Sequence, residues 1–469
     1  MIRAAGTDIP IEERAITRIG VAGDGMTFRI LSLDGGGPWS LIQIMTLIDL
    51  YRSGGALLSG HHVLRDFDLV VANSGGSLIL GGLIKDLPLP EIQKYFDDGE
   101  LRRAVFPRAS SWSRPLARLL DRLAGVGPRY SAAAKLEGLR QILNAGQGES
   151  GIGDLTLDSL KTRTKLTTQI MITAFDYDRQ QPIVFRSNIK SKAADFGMAA
   201  IATLAEAVHA STNAPVDLFD APASVSRGRR CWDGAVAGSA NPVLLGIAEA
   251  IANGVEPREI QVLSIGTGNL VLPLAGGNED KATGKLVQRR AAPGRARDLK
   301  KFTGAVLEDP PDAASLIAHL ALGQAVPKEA GETVADGALV RMSPLIQPIH
   351  VPNGWVRPAG LIEADDASDE FLRLRQLPLD ALDDGDIQLI RKFCTLWQND
   401  AVLNQPIRAN SDTFDCEIGQ RWYSEAKAQW QTLSQGSRSN GPPPAAGLPG
   451  GPGPRSMPPA RLGGGKPTG

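Results

Sequence analysis

A serine flanked by small residues lies where a predicted strand turns into a predicted helix. Ser74 follows the apolar, strand-forming residues 69–71 and precedes the apolar residues 78–80, with Ala72 and Gly76 two positions before and after it. A strand that turns sharply into a helix pushes the middle side chain out of the turn, and the small neighbours let the two backbones approach. The pentapeptide predicts a serine nucleophile above a helix N-terminus, although a plain glycine-serine turn would fit the same residues.

Three consecutive glycines form a second candidate element. Gly35, Gly36 and Gly37 follow Asp34 at the end of a predicted strand, residues 27–33, and precede apolar residues at helical spacing. Bare backbone N–H groups in such a loop can stabilise an anion or an oxyanion. The loop lacks the lysine of a P-loop and the glycine spacing of a dinucleotide site. It predicts an oxyanion loop if a nucleophile is close, and otherwise a tight turn.

An aspartate followed by glycine and alanine is the candidate general base. This tripeptide occurs twice, beginning at Asp233 and at Asp336. An aspartate before a glycine is most often only part of a turn. A serine nucleophile, however, needs an adjacent base, so both aspartates are candidates on this pattern.

Strands and helices alternate along the first part of the chain. Besides those already named, the predicted elements are strands at 169–175, 182–185 and 261–265, and helices at 199–210, 243–252, 313–322 and 386–403. The alternation predicts an α/β fold, a doubly wound and mostly parallel sheet flanked by helices. Such sheets carry their sites at the carboxyl ends of the strands. The serine, the glycine loop and the aspartate would meet at that edge.

The composition is that of a globular protein without a strong net charge. The chain has 469 residues, 42% of them hydrophobic, and a net charge of −1. This balance gives no indication of nucleic-acid binding. The three widely spaced cysteines, Cys231, Cys394 and Cys416, predict neither a disulfide framework nor a zinc site and fit a reducing compartment. Neither a signal peptide nor a membrane-spanning run is recognisable, so a cytoplasmic protein is expected.

Four regions are expected along the chain. Residues 1–26 form an N-terminal arm, residues 27–346 a catalytic α/β domain, and residues 347–435 a mainly helical C-terminal region. Residues 436–469 contain 19 glycines and prolines, four cations and no acidic residue. This last region cannot bury a core and is expected to form a disordered tail.

Two segments are rich in basic residues. Residues 101–123 combine arginines with apolar residues, and residues 281–301 hold eight lysines and arginines against one aspartate. Either segment could contact anionic lipid headgroups. An ordinary solvated basic face is favoured for the first and a basic loop for the second. Nucleic-acid binding is disfavoured, because no binding fold or interleaved aromatic residues accompany them.

The three candidate elements resemble the motifs of the patatin-like phospholipases. They occur in that family's order, with Asp34 and its glycines first, then Ser74 in its turn, then Asp233 before Gly-Ala. Further similarities lie at residues 206–215, 241–242, 263–268 and, more weakly, 339–342. The resemblance favours Asp233 over Asp336, because the Asn-Pro pair at 241–242 and the strand at 261–265 follow Asp233 as they do in the family.

The resemblance implies a serine lipid acyl hydrolase with a Ser–Asp dyad. Ser74 would attack the ester carbonyl, Asp233 would accept the serine proton, and N–H groups of Gly35, Gly36 and Gly37 would stabilise the oxyanion. It implies no metal ion and no cofactor. The expected partners are a membrane or micellar lipid, contacted peripherally, and a protein activator.

Two positions depart from the family pattern. Trp39 and Ser40 stand where the family usually has arginine and glycine, and Ala72 stands where it usually has glycine. The first change could alter the charge of the loop and therefore the headgroup preference. The second could tighten the serine turn. Neither removes a group with a catalytic role.

Two other functions fit parts of the sequence. An esterase with a histidine triad would use His319 or His350, which follow Asp233 along the chain. His319 lies in an apolar predicted helix and His350 in a proline-rich stretch, whereas His209 is interpreted as a helix residue. A lipid-binding protein that keeps the fold without catalysis would fit the altered loop, but not the retained serine and aspartate.

Overall fold

The computed structural model describes most of the chain between its two ends. The described residues are 27–435, apart from 53–57, 109–128, 147–150, 194–198, 201, 216–217, 277–282, 291, 293, 295–311, 330, 353, 366, 378–380 and 412. The predicted arm at 1–26 and the predicted tail at 436–469 lie outside the described residues. The same holds for more than half of each basic segment, 101–123 and 281–301.

The elements of the described residues are as follows. The strands are β1 Phe28–Leu33, β2 Leu69–Ala72, β3 Gln169–Asp176, β4 Gln181–Arg186, β5 Ala199–Ala200, β6 Ala223–Val225, β7 Arg229–Asp233, β8 Ile260–Ile265, β9 Asn269–Leu270, β10 Leu339–Met342, β11 Leu345–Ile346, β12 Ile349–Val351, β13 Gly354–Val356, β14 Arg408–Ala409 and β15 Cys416–Ile418. The helices are α1 Leu41–Leu50, α2 Gly60–Leu64, α3 Gly75–Ile84, α4 Leu89–Asp97, α5 Gly99–Val105, α6 Ala132–Asn144, α7 Leu160–Thr164, α8 Leu204–Ser211, α9 Val243–Ala252, α10 Asp312–Ala321, α11 Glu370–Gln376, α12 Asp384–Gln398 and α13 Tyr423–Ser434.

The central sheet is mixed but mostly parallel. Its continuous path has the strand order β10-β8-β1-β2-β3-β4-β5. The five strands from β10 to β3 all run parallel to their neighbours, whereas β4 is antiparallel to β3. The carboxyl ends of β1, β2 and β8 therefore lie at one edge of the sheet. This arrangement, with helices on both faces, confirms the predicted α/β fold class.

Strand β7 was not predicted, and it enters the sheet beyond the end of β2. Because β4 occupies one side of β3 from residue 171 to residue 176, both β2 and β7 pair with the other side. β2 ends at Ala72, opposite Ile172, and the antiparallel β7 ends at Asp233, opposite Ala174. Only Thr173 separates these two positions on β3. The residue that follows β2 is therefore brought beside the last residue of β7.

Apolar side chains cover the sheet on both faces. Along β1, Phe28 and Ile30 join the cluster under α9 and α10, whereas Leu31 and Leu33 join the larger cluster on the other face, as the alternation of a strand requires. The larger cluster also holds residues of α11, α12 and α13, where the Trp430 ring stacks on Phe67 with centroids 5.7 Å apart. The division of the chain at residue 346 stays a prediction.

Two predicted helices have different ends. The helix expected from residue 199 begins at Leu204, because Thr203 and Glu206 form a capping box that satisfies its first N–H groups. The preceding Ala199–Ala200 forms β5. The helix expected at 386–403 is α12, which begins at Asp384 and ends at Gln398.

Candidate active site

Ser74 lies between β2 and α3 in a strained backbone conformation. Its φ of 47° and ψ of −123° are rare for a residue other than glycine, and such strain costs about 1–3 kcal/mol. The Ser74 amide donates a hydrogen bond of 2.8 Å to the Ser211 hydroxyl at the end of α8. The side chain is partly exposed and stands at the N-terminus of α3. The sharp strand-to-helix turn expected from the sequence is therefore present.

The small residues around Ser74 are needed for close backbone contacts. A Cβ atom added at Gly76 would lie 2.6 Å from the Leu33 carbonyl oxygen, and one added at Gly75 would lie 2.6 Å from the Gly37 carbonyl oxygen. Both distances are shorter than real Cβ contacts allow. Ala72, which departs from the family pattern, packs its methyl group into the apolar core. The turn thus accommodates alanine before the serine but requires glycine after it.

Asp233 is buried beside Ser74 in a network of hydrogen bonds. Its carboxylate accepts hydrogen bonds from Asn73 Nδ2 at 3.1 Å and from the Ala235 amide at 2.9 Å, and the neighbouring Ser74 side chain acts to lower the pKa of this carboxyl. The Asn73 Oδ1 atom accepts in turn from the Thr173 hydroxyl at 2.7 Å. Asn73 is therefore fixed as the bridge between the serine turn and the end of β7.

Opposing influences set the proton affinity of Asp233. Burial raises the pKa of its carboxyl above the ordinary value of 3.8, because a charge is poorly solvated inside the protein. Hydrogen bonds from Ala235, Ser74 and Asn73 and the positive charge of Lys135 act in the other direction. A carboxyl with a raised pKa is a stronger base than an exposed aspartate, which suits the removal of a proton from a hydroxyl group.

The glycine loop packs directly on the serine turn. A Cβ atom added at Gly35 would lie 3.1 Å from the Ser74 Cβ atom, and one added at Gly36 would lie 2.3 Å from Thr267 Oγ1. The Gly35 amide donates a hydrogen bond of 2.8 Å to the Ala240 carbonyl, so this N–H group already has a partner. Gly37 has a φ of 54°, a conformation that favours glycine. The two departures beside the loop, Trp39 and Ser40, are both buried.

A buried ion pair fixes the residue that precedes the glycine loop. Asp34 Oδ2 accepts a hydrogen bond of 2.6 Å from Arg341 Nη2, and both side chains are almost completely buried. Arg341 Nη1 also donates to Ser264 Oγ at 2.8 Å, which ties the ends of β1, β8 and β10 together. Burial raises the pKa of the Asp34 carboxyl, against the lowering effect of the Arg341 charge. In the sequence, Arg341 belongs to the weak similarity at 339–342 and has no predicted role.

The alternative candidates lie away from Ser74. Asp336 is exposed and precedes β10, at the opposite edge of the sheet. His319 Nε2 forms a hydrogen bond with the Ala325 carbonyl, and the His350 ring packs against the Trp355 ring. His209 is buried on α8, and burial lowers its pKa to about 2. Within the described part of the chain, no hydrogen bond joins a histidine ring to Ser74 or Asp233.

Neither a metal-binding cluster nor a membrane-spanning helix is present among the described residues. They contain no group of three or more His, Cys, Asp or Glu side chains placed to hold a metal ion. None of their helices has the length and apolar character needed to cross a bilayer.

Comparison with known proteins assigns the region that holds this site to a family. Residues 31–247 match the family model described as patatin-like phospholipase. The chain contains a patatin-like phospholipase domain. The matched residues include the glycine loop, Ser74 and Asp233, and the family acts on lipid substrates, which supports a lipid hydrolase.

Two solved structures of bacterial proteins have a low similarity to this chain. VipD from Legionella pneumophila is 12% identical, with a TM-score of 0.30 and coverage of 79% of this chain and 67% of that one. ExoU of Pseudomonas aeruginosa, in its heterodimeric complex with SpcU, is 17% identical, with a TM-score of 0.25 and coverage of 63% and 57%. The present chain thus spans little more than half of ExoU. Among curated proteins, none matches the sequence significantly.

Proposed function

We propose that the protein hydrolyses fatty acyl esters of phospholipids or related lipids through a dyad of Ser74 and Asp233. The observation that carries this proposal is the placement of the buried Asp233 carboxylate beside Ser74, at the junction of β2 and β7, where Asn73, the residue before the serine, holds it by a hydrogen bond of 3.1 Å. The neighbourhood offers a nucleophile, a base held by Asn73 and Ala235, and unhindered N–H groups. These are the parts that acyl transfer requires.

In the first half of the reaction the serine is acylated. Ser74 Oγ attacks the ester carbonyl carbon while Asp233 accepts the hydroxyl proton. The carbonyl oxygen becomes an oxyanion, which the glycine loop stabilises. When the tetrahedral intermediate collapses, the ester C–O bond breaks and Asp233 gives its proton to the departing lyso-lipid oxygen. The acyl group remains bound to Ser74.

In the second half water releases the fatty acid. Asp233 accepts a proton from water, the resulting hydroxide attacks the acyl carbon, and the same loop stabilises the second oxyanion. Collapse of this intermediate breaks the bond to Ser74 Oγ, which recovers its proton from Asp233. The net change is one ester bond and one water converted into one lyso-lipid and one fatty acid, without a metal ion or cofactor.

Within the glycine loop we assign the oxyanion donors to Gly36 and Gly37. The Gly35 amide already donates a hydrogen bond to the Ala240 carbonyl. The role of Gly35 is therefore to let the loop pack closely against Ser74, because it has no side chain there. Loss of one such donor typically raises the barrier by about 2.7–4 kcal/mol. The proposal places the protein in the cytoplasm, at the surface of its lipid substrate, with a protein activator as a further partner.

Fatty-acid release from mixed phospholipid vesicles in the presence of EDTA tests the proposal. Wild type should release fatty acid, whereas Ser74→Ala and Asp233→Asn should not, with circular dichroism showing that each variant is folded. Ser368→Ala and Asp178→Asn are matched controls, because both residues are exposed, and they should act like wild type. Release by Ser74→Ala would exclude this nucleophile. Vesicle binding without release, together with no labelling of Ser74 by a fluorophosphonate, would indicate a lipid-binding protein instead.

A further inference from the structure

Thr267 lies against the backbone of the glycine loop, in the turn that follows β8. Its side chain is buried, and its hydroxyl donates a hydrogen bond of 2.8 Å to the Gly35 carbonyl. The same side chain covers Gly36 so closely that a Cβ atom added to this glycine would lie between 2.3 and 2.8 Å from three threonine atoms. Thr267 therefore contacts both residues that are joined by one peptide bond of the loop.

The orientation of this peptide bond decides where the Gly36 N–H group points. A peptide bond is planar, and in its trans form the C=O and N–H groups point in opposite directions. The described residues contain no cis peptide bond. The Gly35 carbonyl and the Gly36 N–H group belong to the same peptide unit. A hydrogen bond that fixes this carbonyl toward Thr267 therefore directs the N–H group away from Thr267.

The Gly36 N–H group has no hydrogen-bond acceptor among the residues that the structure describes, and the same holds for the Gly37 N–H group. By contrast, the Gly35 N–H group donates to the Ala240 carbonyl. The loop is only partly buried and packs on Ser74, whose Cβ atom would lie 3.1 Å from a Cβ atom added at Gly35. N–H groups that are unpaired and fixed next to a nucleophile are suited to stabilise an oxyanion.

The chain on both sides of Thr267 is anchored by hydrogen bonds. The Gly266 amide donates to the Met342 carbonyl at 2.8 Å, and the Gly268 amide donates to the Ser343 hydroxyl at 3.2 Å. A threonine side chain is branched at Cβ, which restricts its rotation about χ1. The Thr267 hydroxyl is therefore held at a fixed place against the glycine loop.

We propose that Thr267 is a positioning residue for the reaction, whose hydroxyl holds the Gly35–Gly36 peptide bond so that the Gly36 N–H group points to the oxyanion. This inference rests on the proposed function and on the assignment of Gly36 as an oxyanion donor. Thr267 acts only through the loop. Without its hydroxyl the peptide bond can rotate, because two glycines restrict the backbone less than any other pair of residues.

The kinetics of Thr267→Val with a soluble p-nitrophenyl acyl ester test the inference. Valine has nearly the shape of threonine but lacks the hydroxyl donor. An oxyanion donor acts on the transition state and not on the bound substrate, so kcat should fall while KM stays near that of wild type. The fall in kcat should be on the order of 10²-fold, the lower end of the effect of losing one such donor. Thr267→Ser keeps the hydroxyl and should recover most of the rate.

Thr168→Val is the matched control for this substitution. Thr168 is also buried, and its hydroxyl also donates a hydrogen bond of 2.8 Å to a backbone carbonyl, that of Leu64. It precedes β3 and therefore lies at the opposite edge of the sheet from Ser74. Each valine variant loses one hydrogen bond of the same kind, but only Thr267→Val should lose rate. Equal kcat values for the two variants would overturn the inference.

Thr267→Cys covers the case in which Thr267→Val does not fold. A thiol is a weaker hydrogen-bond donor than a hydroxyl. The kcat of this variant should therefore fall in the same direction as that of the valine variant, but less. A kcat equal to that of wild type would overturn the inference.

Crystal structures of wild type and of the folded Thr267 variant separate this inference from the proposed function. If wild type hydrolyses no ester and a fluorophosphonate does not label Ser74, the proposed function fails. The orientation of the Gly35–Gly36 peptide bond then decides whether Thr267 holds the loop. A peptide bond that has turned in the variant would support the hold of Thr267 on the loop, and the same orientation in both proteins would overturn it. If wild type is active, the comparison of kcat values decides.

Discussion

The Ser74 amide donates a hydrogen bond of 2.8 Å to the hydroxyl of Ser211, which lies 137 residues later in the sequence. The Ser74 backbone is strained, with φ at 47° and ψ at −123°, and such conformations persist only where the surroundings enforce them. The hydrogen bond to Ser211, the last residue of α8, is therefore one of the interactions that hold the proposed nucleophile in its turn.

Replacement of Ser211 by alanine should relax this turn. The change leaves the Ser74 N–H group without its acceptor, so the free energy of unfolding should fall by about 1–3 kcal/mol. The rate at which a fluorophosphonate labels Ser74 should fall by about tenfold, since a loss of about 1.4 kcal/mol in the transition state has that effect. Ser368→Ala is the control, and equal labelling rates for the two variants would contradict the assignment.

Gly76→Ala should disrupt the contact between α3 and β1. The added Cβ atom would lie 2.6 Å from the Leu33 carbonyl oxygen and 2.7 Å from the Asp34 carbonyl oxygen. Both are backbone atoms, which cannot relieve the clash by changing rotamer as a flexible side chain can. The thermal midpoint should fall, and Ser74 should lose its reactivity. Gly294→Ala is the matched control, because no atom of the described residues lies within 4 Å of its new Cβ atom. A Gly76→Ala protein with the midpoint of Gly294→Ala would refute the contact.

Removal of Arg341 should destabilise the protein strongly. Arg341→Met leaves Asp34 buried without its counter-charge, and breaking a buried ion pair by removing one partner costs about 3–5 kcal/mol. Urea unfolding measures the loss. The double variant Asp34→Asn, Arg341→Met should recover part of it, because no unpaired charge remains. Arg230→Met, which breaks an exposed pair with Asp178, should change the midpoint little, and an equally small effect at Arg341 would contradict the prediction.

The raised pKa of Asp233 predicts how stability depends on pH. A carboxyl whose pKa is raised in the folded state binds its proton more tightly there than in the unfolded chain. Its contribution to stability is therefore full below the ordinary value of 3.8 and is lost as the pH rises through the raised pKa. The free energy of unfolding of wild type, minus that of Asp233→Asn, should decrease across this window in urea titrations at successive pH values.

Asp178 provides a control of opposite sign for this experiment. The hydrogen bond from Arg230 lowers the pKa of the exposed Asp178 carboxyl. Its stabilising contribution is present above the ordinary value of 3.8 and is lost as the pH falls through the lowered pKa. The difference between wild type and Asp178→Asn should therefore increase with pH. The same slope for both variants would show that the Asp233 pKa is not raised.

The local part of this structure could be predicted from the sequence. Hydrophobic periodicity predicts β1, α1, β2, α3 and β8, since strands and helices differ in the spacing of their buried residues. The small residues around Ser74 predict the sharp turn, because only small side chains fit where a strand and a helix approach. The carboxyl-end rule for parallel sheets then brings Ser74 and the glycine loop together.

The partners from distant parts of the chain could not be predicted in this way. Strand β7 is short, and its antiparallel pairing with β3 leaves no periodic signal in the sequence. Ser211 and Arg341 are joined to the site by contacts between residues that lie far apart in the sequence, and the type of a single residue does not encode such a contact.

The placement of Asp233 on β7 has a consequence for the chain during its synthesis. The glycine loop and Ser74 are synthesised before the proposed base, which is the last residue of β7. Asp233 comes to lie beside the serine only after β7 has paired with β3. Until then the growing polypeptide carries a serine that nothing deprotonates. A prematurely terminated product that ends before β7 should for the same reason hydrolyse no ester.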